Sequence, residues 1–299
     1  MFNPTFSPTI NIPENVQGVD SLFLNYDDDP LIFAGGTHIM RTVMDYPNGH
    51  FPQLVDITKI VGFDSFVRTE KTVEIGAVNT LSHLHELGEP FFEDAIKMCL
   101  SSGAPEVVKR KATIGGAIAA DGVYYNIVAP LIHYNASVEV HFYKGNMPGS
   151  RIQMLSTIYD ENEPRLIEPL LITKIIIPYK KPAGDHYSYY REVGSPIVDP
   201  SSSIVFVGTF TSDDVTSNIS INATVLFADV GFFSLSETNQ TFQVTTISSF
   251  AEIENLREEF KKAIEDKFNA DENLISSSRL ERTLRIFEDF LLSVSERLV

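Results

Sequence analysis

Two segments of one design constrain what this chain can fold into. In LIFAGGTHIM, residues 31 to 40, and in KATIGGAIAADG, residues 111 to 122, a pair of adjacent glycines follows strand-like residues and precedes an apolar run. Glycine costs backbone entropy on folding, so such a pair marks either left-handed geometry or a surface that something must approach closely. Backbone N–H groups at a strand-to-helix turn form an anion cradle, because no Cβ blocks the approach and the helix start adds partial positive charge. Two such turns in one chain predict a shared seat for a pyrophosphate. Neither matches G-x-G-x-x-G or G-x-x-x-x-G-K-[ST], which disfavours a Rossmann site and a P-loop.

The chain has 299 residues, enough for a core without a metal or disulfide staple, and its length suggests two domains. Its single cysteine, Cys99, sits among apolar neighbours in FFEDAIKMCL and reads as a buried thiol. One cysteine also excludes an iron-sulfur cluster held by this chain alone. Forty acidic against 23 basic residues give a net charge of −17, which disfavours nucleic acid and anionic lipid as partners. The basic run Lys109-Arg110-Lys111 directly precedes the second glycine segment and is a candidate to attract an anion there. No window of about 18 apolar residues is present and MFNPTFSPTINIPE lacks signal-peptide character, so a cytoplasmic protein without a membrane segment is expected. The sequons at Asn218 and Asn239 carry no weight in that setting.

Alternation and spacing predict a β-α-β unit: a strand at Leu31 to Ala34, a helix at His38 to Met44 and a strand at Gln53 to Ile57. A strand at Thr72 to Ala77 follows, then a helix at Leu81 to Leu87 capped by Asn79 or Thr80. The next helix places Phe92, Ala95, Ile96 and Cys99 on one face. NIVAPLIHYNA reads as a helix started or broken at Pro130, SVEVHFYK as a strand, and Arg165 to Leu171 and Ile172 to Ile177 as two strands. Pro178 to Gly184 reads as a linker. Beyond it, HYSYYREV, SSIVFVGTF, NISINATVLFADV and FQVTTISSF predict an antiparallel sheet in which Tyr187, Tyr189 and Tyr190 pack. Two helices close the chain, the first behind a capping box of Ser249 and Glu252, the second over roughly Ser277 to Leu298.

AGGTHIM, FPQLVDITKI, VEIGAVNTLSHL, PFFEDAIKMC and KATIGGAIA stand in the order and spacing of a known family. Residues 30 to about 145 resemble the FAD-binding subunit of molybdenum hydroxylases, of the xanthine dehydrogenase and carbon monoxide dehydrogenase type. The likeness continues weakly through IIIPYKK and YREVG. It implies an α+β fold: a PCMH-type FAD-binding domain of two α/β subdomains over residues 1–178, then a C-terminal α+β domain over 179–299 with a small antiparallel sheet and helices. It also implies an oxidoreductase subunit with FAD as cofactor, partnered by a [2Fe-2S] subunit and a large molybdopterin-binding subunit, with NAD or another molecule accepting the electrons.

By resemblance, Ala34, Gly35, Gly36, Thr37 and His38, with Phe33 before them, grip the FAD pyrophosphate together with Thr113, Gly115 and Gly116. Thr80 and Arg191 lie toward the flavin, and Asn126 stands where the family has Asp. His38 replaces Asp and Ala117 replaces Asn, which removes acceptors for ribityl or ribose hydroxyls; Asn126 keeps one. A flavin-free interaction subunit of the same fold and a stand-alone flavin-dependent reductase are the alternatives. His83 and His85 point to different helix faces, Asp27-Asp28-Asp29 lacks calcium-loop spacing, and Ser201-Ser202-Ser203 lacks a nucleophile context; all three read as structural.

Overall fold

The computed structural model describes residues 9–25, 30–42, 53–88, 91–142, 148–160, 164–168, 170–179, 186–212, 219–235, 242–244, 250–268 and 274–297. Asp27 to Asp29, most of the linker, both sequons and the capping serine Ser249 lie outside them. Among the described residues no helix is long and apolar enough to cross a membrane.

Three sheets follow one another along the chain. The first is small and parallel, in the order β1 (Ile10–Asn11), β3 (Leu54–Asp56), β2 (Leu31–Phe33). Helix α1 (Val16–Asn25) and the short α2 (Thr37–Arg41) connect its strands, and Val19 and Val55 anchor its core.

The second sheet is antiparallel, in the order β4 (Phe66–Arg68), β5 (Thr72–Gly76), β8 (Leu170–Pro178), β6 (Ser137–Phe142), β7 (Gly149–Met154). Five helices lie between β5 and β6: α3 (Leu81–Leu87), α4 (Asp94–Ser102), α5 (Glu106–Lys109), α6 (Ile114–Ile118) and α7 (Val128–His133). Thr80 caps α3, its Oγ1 accepting from the His83 N–H at 3.2 Å, while the buried Asn79 donates to the carbonyls of Ser65 and Gly76. Helix α4 buries Ala95, Ile96, Cys99 and Leu100, in keeping with the expected stripe.

Two expectations change here. The segments Arg165 to Leu171 and Ile172 to Ile177 are not two strands: pairing with β6, past a shift between Glu139 and Val140, draws Leu170 to Pro178 into one strand and leaves 164–168 irregular. The second glycine pair lies inside the one-turn helix α6 rather than at a turn ahead of it. Thr113 is extended, and its Oγ1 caps α6 by accepting from the Gly116 N–H at 3.1 Å.

The third sheet is antiparallel, in the order β12 (Gly231–Ser234), β11 (Ile219–Phe227), β10 (Ile204–Ser212), β9 (His186–Val193), with β13 (Phe242–Val244) also on β11. Helices α8 (Phe250–Phe268) and α9 (Ser277–Arg297) cover one face, where Phe206, Phe260, Phe287 and Phe290 cluster. The other face packs on the second sheet's helices: Val205, Val207 and Leu226 share a core with α4 and α7. Strand β10 is thus covered on both sides, which explains the unbroken apolar run from Ile204 to Val207.

A buried polar node fixes this junction. His133 on α7 reaches Thr224 Oγ1 at 3.0 Å through Nδ1 and Thr209 Oγ1 at 2.9 Å through Nε2. Burial, with His186 adding repulsion, pushes its pKa down to about 3. A depressed histidine stabilises the fold only while the unfolded form is also neutral, so stability is lost as pH falls from about 6.5 toward 3. At pH 5 the loss is about 2 kcal/mol relative to pH 7.5. Denaturant unfolding at both pH values should show that much greater acid sensitivity in the wild type than in His133→Gln; equal slopes would refute it.

Candidate functional site

The two glycine segments, distant in sequence, meet across a cavity of about 1090 Å³ between the first and second sheets. Its size exceeds the usual range of about 300 to 1,000 Å³ for small-ligand pockets and suits an extended, dinucleotide-sized ligand. Strand β2 delivers Ala34, Gly35, Gly36, Thr37 and His38 to its wall. Thr113, Gly115 and Gly116 come from the start of α6, and Asn126 from the loop before α7.

The glycines do different work. Gly36 is left-handed, at φ 70, and turns the chain into α2. The first hydrogen bond along α2 runs from the Met40 N–H to the Gly36 carbonyl, and the earlier N–H groups have no preceding turn to serve. Gly35 and Gly115 are packing glycines. A Cβ on Gly35 would stand 1.7 Å from the Lys111 carbonyl oxygen, and one on Gly115 would stand 2.7 Å from the Ala77 Cβ. Gly116 is exposed toward the cavity, and an added Cβ would meet only the Thr113 hydroxyl, at 2.8 Å.

The second turn therefore departs from the expected anion cradle. The N–H groups of Ile114, Gly115 and Gly116 are taken by the carbonyls of Asn79 and Ala77 and by Thr113 Oγ1. What α6 offers is a close, side-chain-free wall. Of the basic run, Lys109 turns inward: its Nζ donates to the carbonyls of Leu100 and Ser101 at 2.9 and 3.2 Å, closing the end of α4. Arg110 pairs with Glu106.

Other polar groups complete the wall. His38 Nδ1 lies 3.1 Å from the Tyr125 hydroxyl, and their rings meet edge to face. Burial raises the Tyr125 pKa, partly countered by a hydrogen bond with Arg41, so the phenol stays neutral. The buried Cys99 lines the cavity with its thiol pushed up to about 12, which makes it inert toward nucleophilic chemistry at neutral pH. Asn126 donates through Nδ2 to Glu192 Oε2 at 2.8 Å, and its buried Oδ1 has no partner among the described residues. An orphaned acceptor and a wall that a Cβ would invade fit a closely approaching ligand that carries hydroxyls.

Phe33, Thr80 and Arg191 are not among the residues that line the cavity. The Phe33 ring packs under Gly36, the Thr80 hydroxyl is spent on capping α3, and Arg191 points the other way. Along β9, Tyr187, Tyr189 and Val193 join the core under α9, and Arg191 shares that parity; Tyr190 and Glu192 face the second sheet's helices. Sequence reasoning missed Glu192 and Tyr125. Strand alternation contains the signal for Glu192, but only once the buried face of β9 is known.

Among solved structures, the chain is similar in fold to quinoline 2-oxidoreductase from Pseudomonas putida 86, with a TM-score of 0.69 at 14% identity over 97% of this chain and 98% of that one. It is likewise similar to Cu,Mo-CO dehydrogenase in its cyanide-inactivated form, with a TM-score of 0.68 at 19% identity over 96% of each chain. Reconstituted CO dehydrogenase from Oligotropha carboxidovorans gives a TM-score of 0.67 at 19% identity over 98% of this chain and 97% of that one. No curated protein matches. The two segments that wall the cavity both fall inside residues 5–180, which match the FAD binding domain in molybdopterin dehydrogenase; the chain belongs to that family and is an FAD-dependent oxidoreductase subunit of molybdenum hydroxylase type.

Proposed function

We propose that this chain receives electrons within a multi-subunit molybdenum hydroxylase and delivers them to a soluble acceptor. FAD supplies the chemistry: it collects electrons relayed by a [2Fe-2S] subunit from a molybdopterin subunit and passes them to NAD or another acceptor. Residues 1–178 form the FAD-binding domain and 179–299 the C-terminal domain, and the complex works in the cytoplasm. The residues that hold the cofactor are Ala34 to His38, Thr113, Gly115, Gly116 and Asn126. The α2 turn carries the donors for the pyrophosphate, α6 gives the smooth wall, and Asn126 accepts from a hydroxyl.

One observation carries this reading: both glycine segments and the unpaired Asn126 acceptor border a single cavity. The need for a separate iron-sulfur subunit follows from the single cysteine. One observation favours the flavin-free alternative, the internal pairing of every N–H at the start of α6. Purification from the native host and reconstitution with FAD and FMN separate the two. We expect a yellow complex with iron-sulfur and molybdopterin subunits, and a chain that takes FAD in preference to FMN. Equal affinity for FMN, a colourless preparation that takes up no flavin, or a chain active alone would refute the proposal.

A further inference from the structure

A carboxylate from the third sheet stands behind the cavity wall, bonded to the lining residue Asn126. Glu192 on β9 receives two hydrogen bonds at one oxygen: Asn126 Nδ2 donates to Oε2 at 2.8 Å and the Tyr190 hydroxyl donates to it at 2.7 Å. An ionised carboxylate only accepts, so Asn126 must meet it with its NH2 group. The other end of the amide is thereby fixed, and Oδ1 of this cavity-lining residue is left buried with no partner among the described residues. Orphaned buried acceptors are rare in native structures, and one bordering a large cavity marks a contact reserved for a ligand donor.

We propose that Glu192 is a positioning residue: it orients the Asn126 amide so that Oδ1 accepts a hydrogen bond from a ligand hydroxyl. In FAD that donor is a ribityl or ribose hydroxyl, so the inference rests on the FAD reading above. The Tyr190 hydroxyl holds the same oxygen. The third sheet thus enters the binding site through Glu192 rather than through its exposed neighbour Arg191. Binding through Asn126 accordingly requires β9 to be docked against the loop before α7.

The test exchanges the polarity of the pair in the full chain, reading FAD binding by flavin fluorescence and the melting temperature of flavin-stripped protein. Glu192→Gln introduces an amide that both donates and accepts, so Asn126 is free to turn and Oδ1 is no longer fixed. The FAD Kd is expected to rise about tenfold. Asn126→Asp alone brings two carboxylates together and should weaken FAD at least as much. In the double variant the introduced amide donates to the introduced carboxylate, which keeps an oxygen for the ligand, and Kd should return to within about threefold of wild type. A merely structural role for Glu192 would not give this rescue. Unchanged affinity in Glu192→Gln, or a double variant as weak as the single ones, overturns the proposal. Should Glu192→Gln fail to fold, the double variant against Asn126→Asp decides. A wild-type chain that binds no FAD overturns the FAD reading itself and this inference with it, whereas wild-type binding with unaffected variants overturns the inference alone.

Discussion

Gly35→Ala is expected to destabilise the flavin-free chain by about 3 kcal/mol, through overpacking that the backbone cannot relieve. The added Cβ would stand 1.7 Å from the Lys111 carbonyl oxygen, 2.6 Å from its carbon and 3.3 Å from the Ala112 nitrogen. No flexible side chain is available to swing aside, because all three are backbone atoms. That backbone is also pinned. The Lys111 and Ala112 N–H groups both donate to the Val108 carbonyl at 2.9 and 2.8 Å, and the Ala112 carbonyl accepts from the Leu81 N–H at 2.9 Å. Relief must then come from separating β2 and its turn from the α5–α6 connection, which opens the cavity as well as the core. For a chain of this size the melting temperature should fall by roughly 5 °C. Gly116→Ala is the matched control, since its Cβ meets only a side-chain hydroxyl, and should stay within about 2 °C. A Gly35→Ala chain that melts with the wild type would show that the contact between the two segments is looser than this geometry.

The same contact shows what sequence can and cannot convey. Helix α3 was legible because its signals are local: a threonine at the cap, apolar spacing behind it, and Gly88 at its end. The stripe on α4 was legible for the same reason. That Gly35 must be glycine was legible as a suspicion, but its cause lies in Lys111, far along the chain, and no local rule names that partner. The two glycine pairs look alike as text, yet only Gly36 is left-handed, while Gly115 and Gly116 sit in a helical turn whose N–H groups are already spent. A glycine's reason for being glycine depends on what stands opposite, and that is tertiary information.

Arg191 and Glu192 give the sharper case. Strand side chains alternate, so a shift of one residue in judging which face is buried exchanges the entire set that reaches a site. Strand β9 has aromatic residues at consecutive positions, Tyr189 and Tyr190, and so offers no apolar-polar alternation to settle the parity. Its two faces are both covered, one by α9 and one by α4, which removes the usual clue. Resemblance favoured the basic residue; packing turns the acidic one toward Asn126, which lines the cavity.

Gly116→Val is expected to lower FAD affinity by more than tenfold, equivalent to at least about 1.4 kcal/mol, while leaving the flavin-free fold intact. The expectation from sequence was that a β-branched residue would also resist a left-handed backbone there. Gly116 is not left-handed, and it lies inside α6, so that strain is absent. Its Cβ would find no neighbour within 4 Å except Thr113 Oγ1, at 2.8 Å, so the cost is a weakened α6 cap, about 1 kcal/mol. Exchanging glycine for valine within a helix also recovers some backbone entropy, which offsets a weakened cap. The two methyl groups would extend from an exposed position into the cavity, which the α2 turn also lines. A ligand spanning the two glycine segments must then retreat from the α6 wall or leave. The measurement is the ratio of bound flavin to protein after reconstitution and gel filtration, read beside the melting temperature of stripped protein. Gly35→Ala should lose both flavin and stability; Gly116→Val should lose flavin alone. A Gly116→Val chain with wild-type melting and full FAD occupancy would mean that the ligand does not approach the α6 wall, and that the second glycine pair serves only the packing of Gly115 against Ala77.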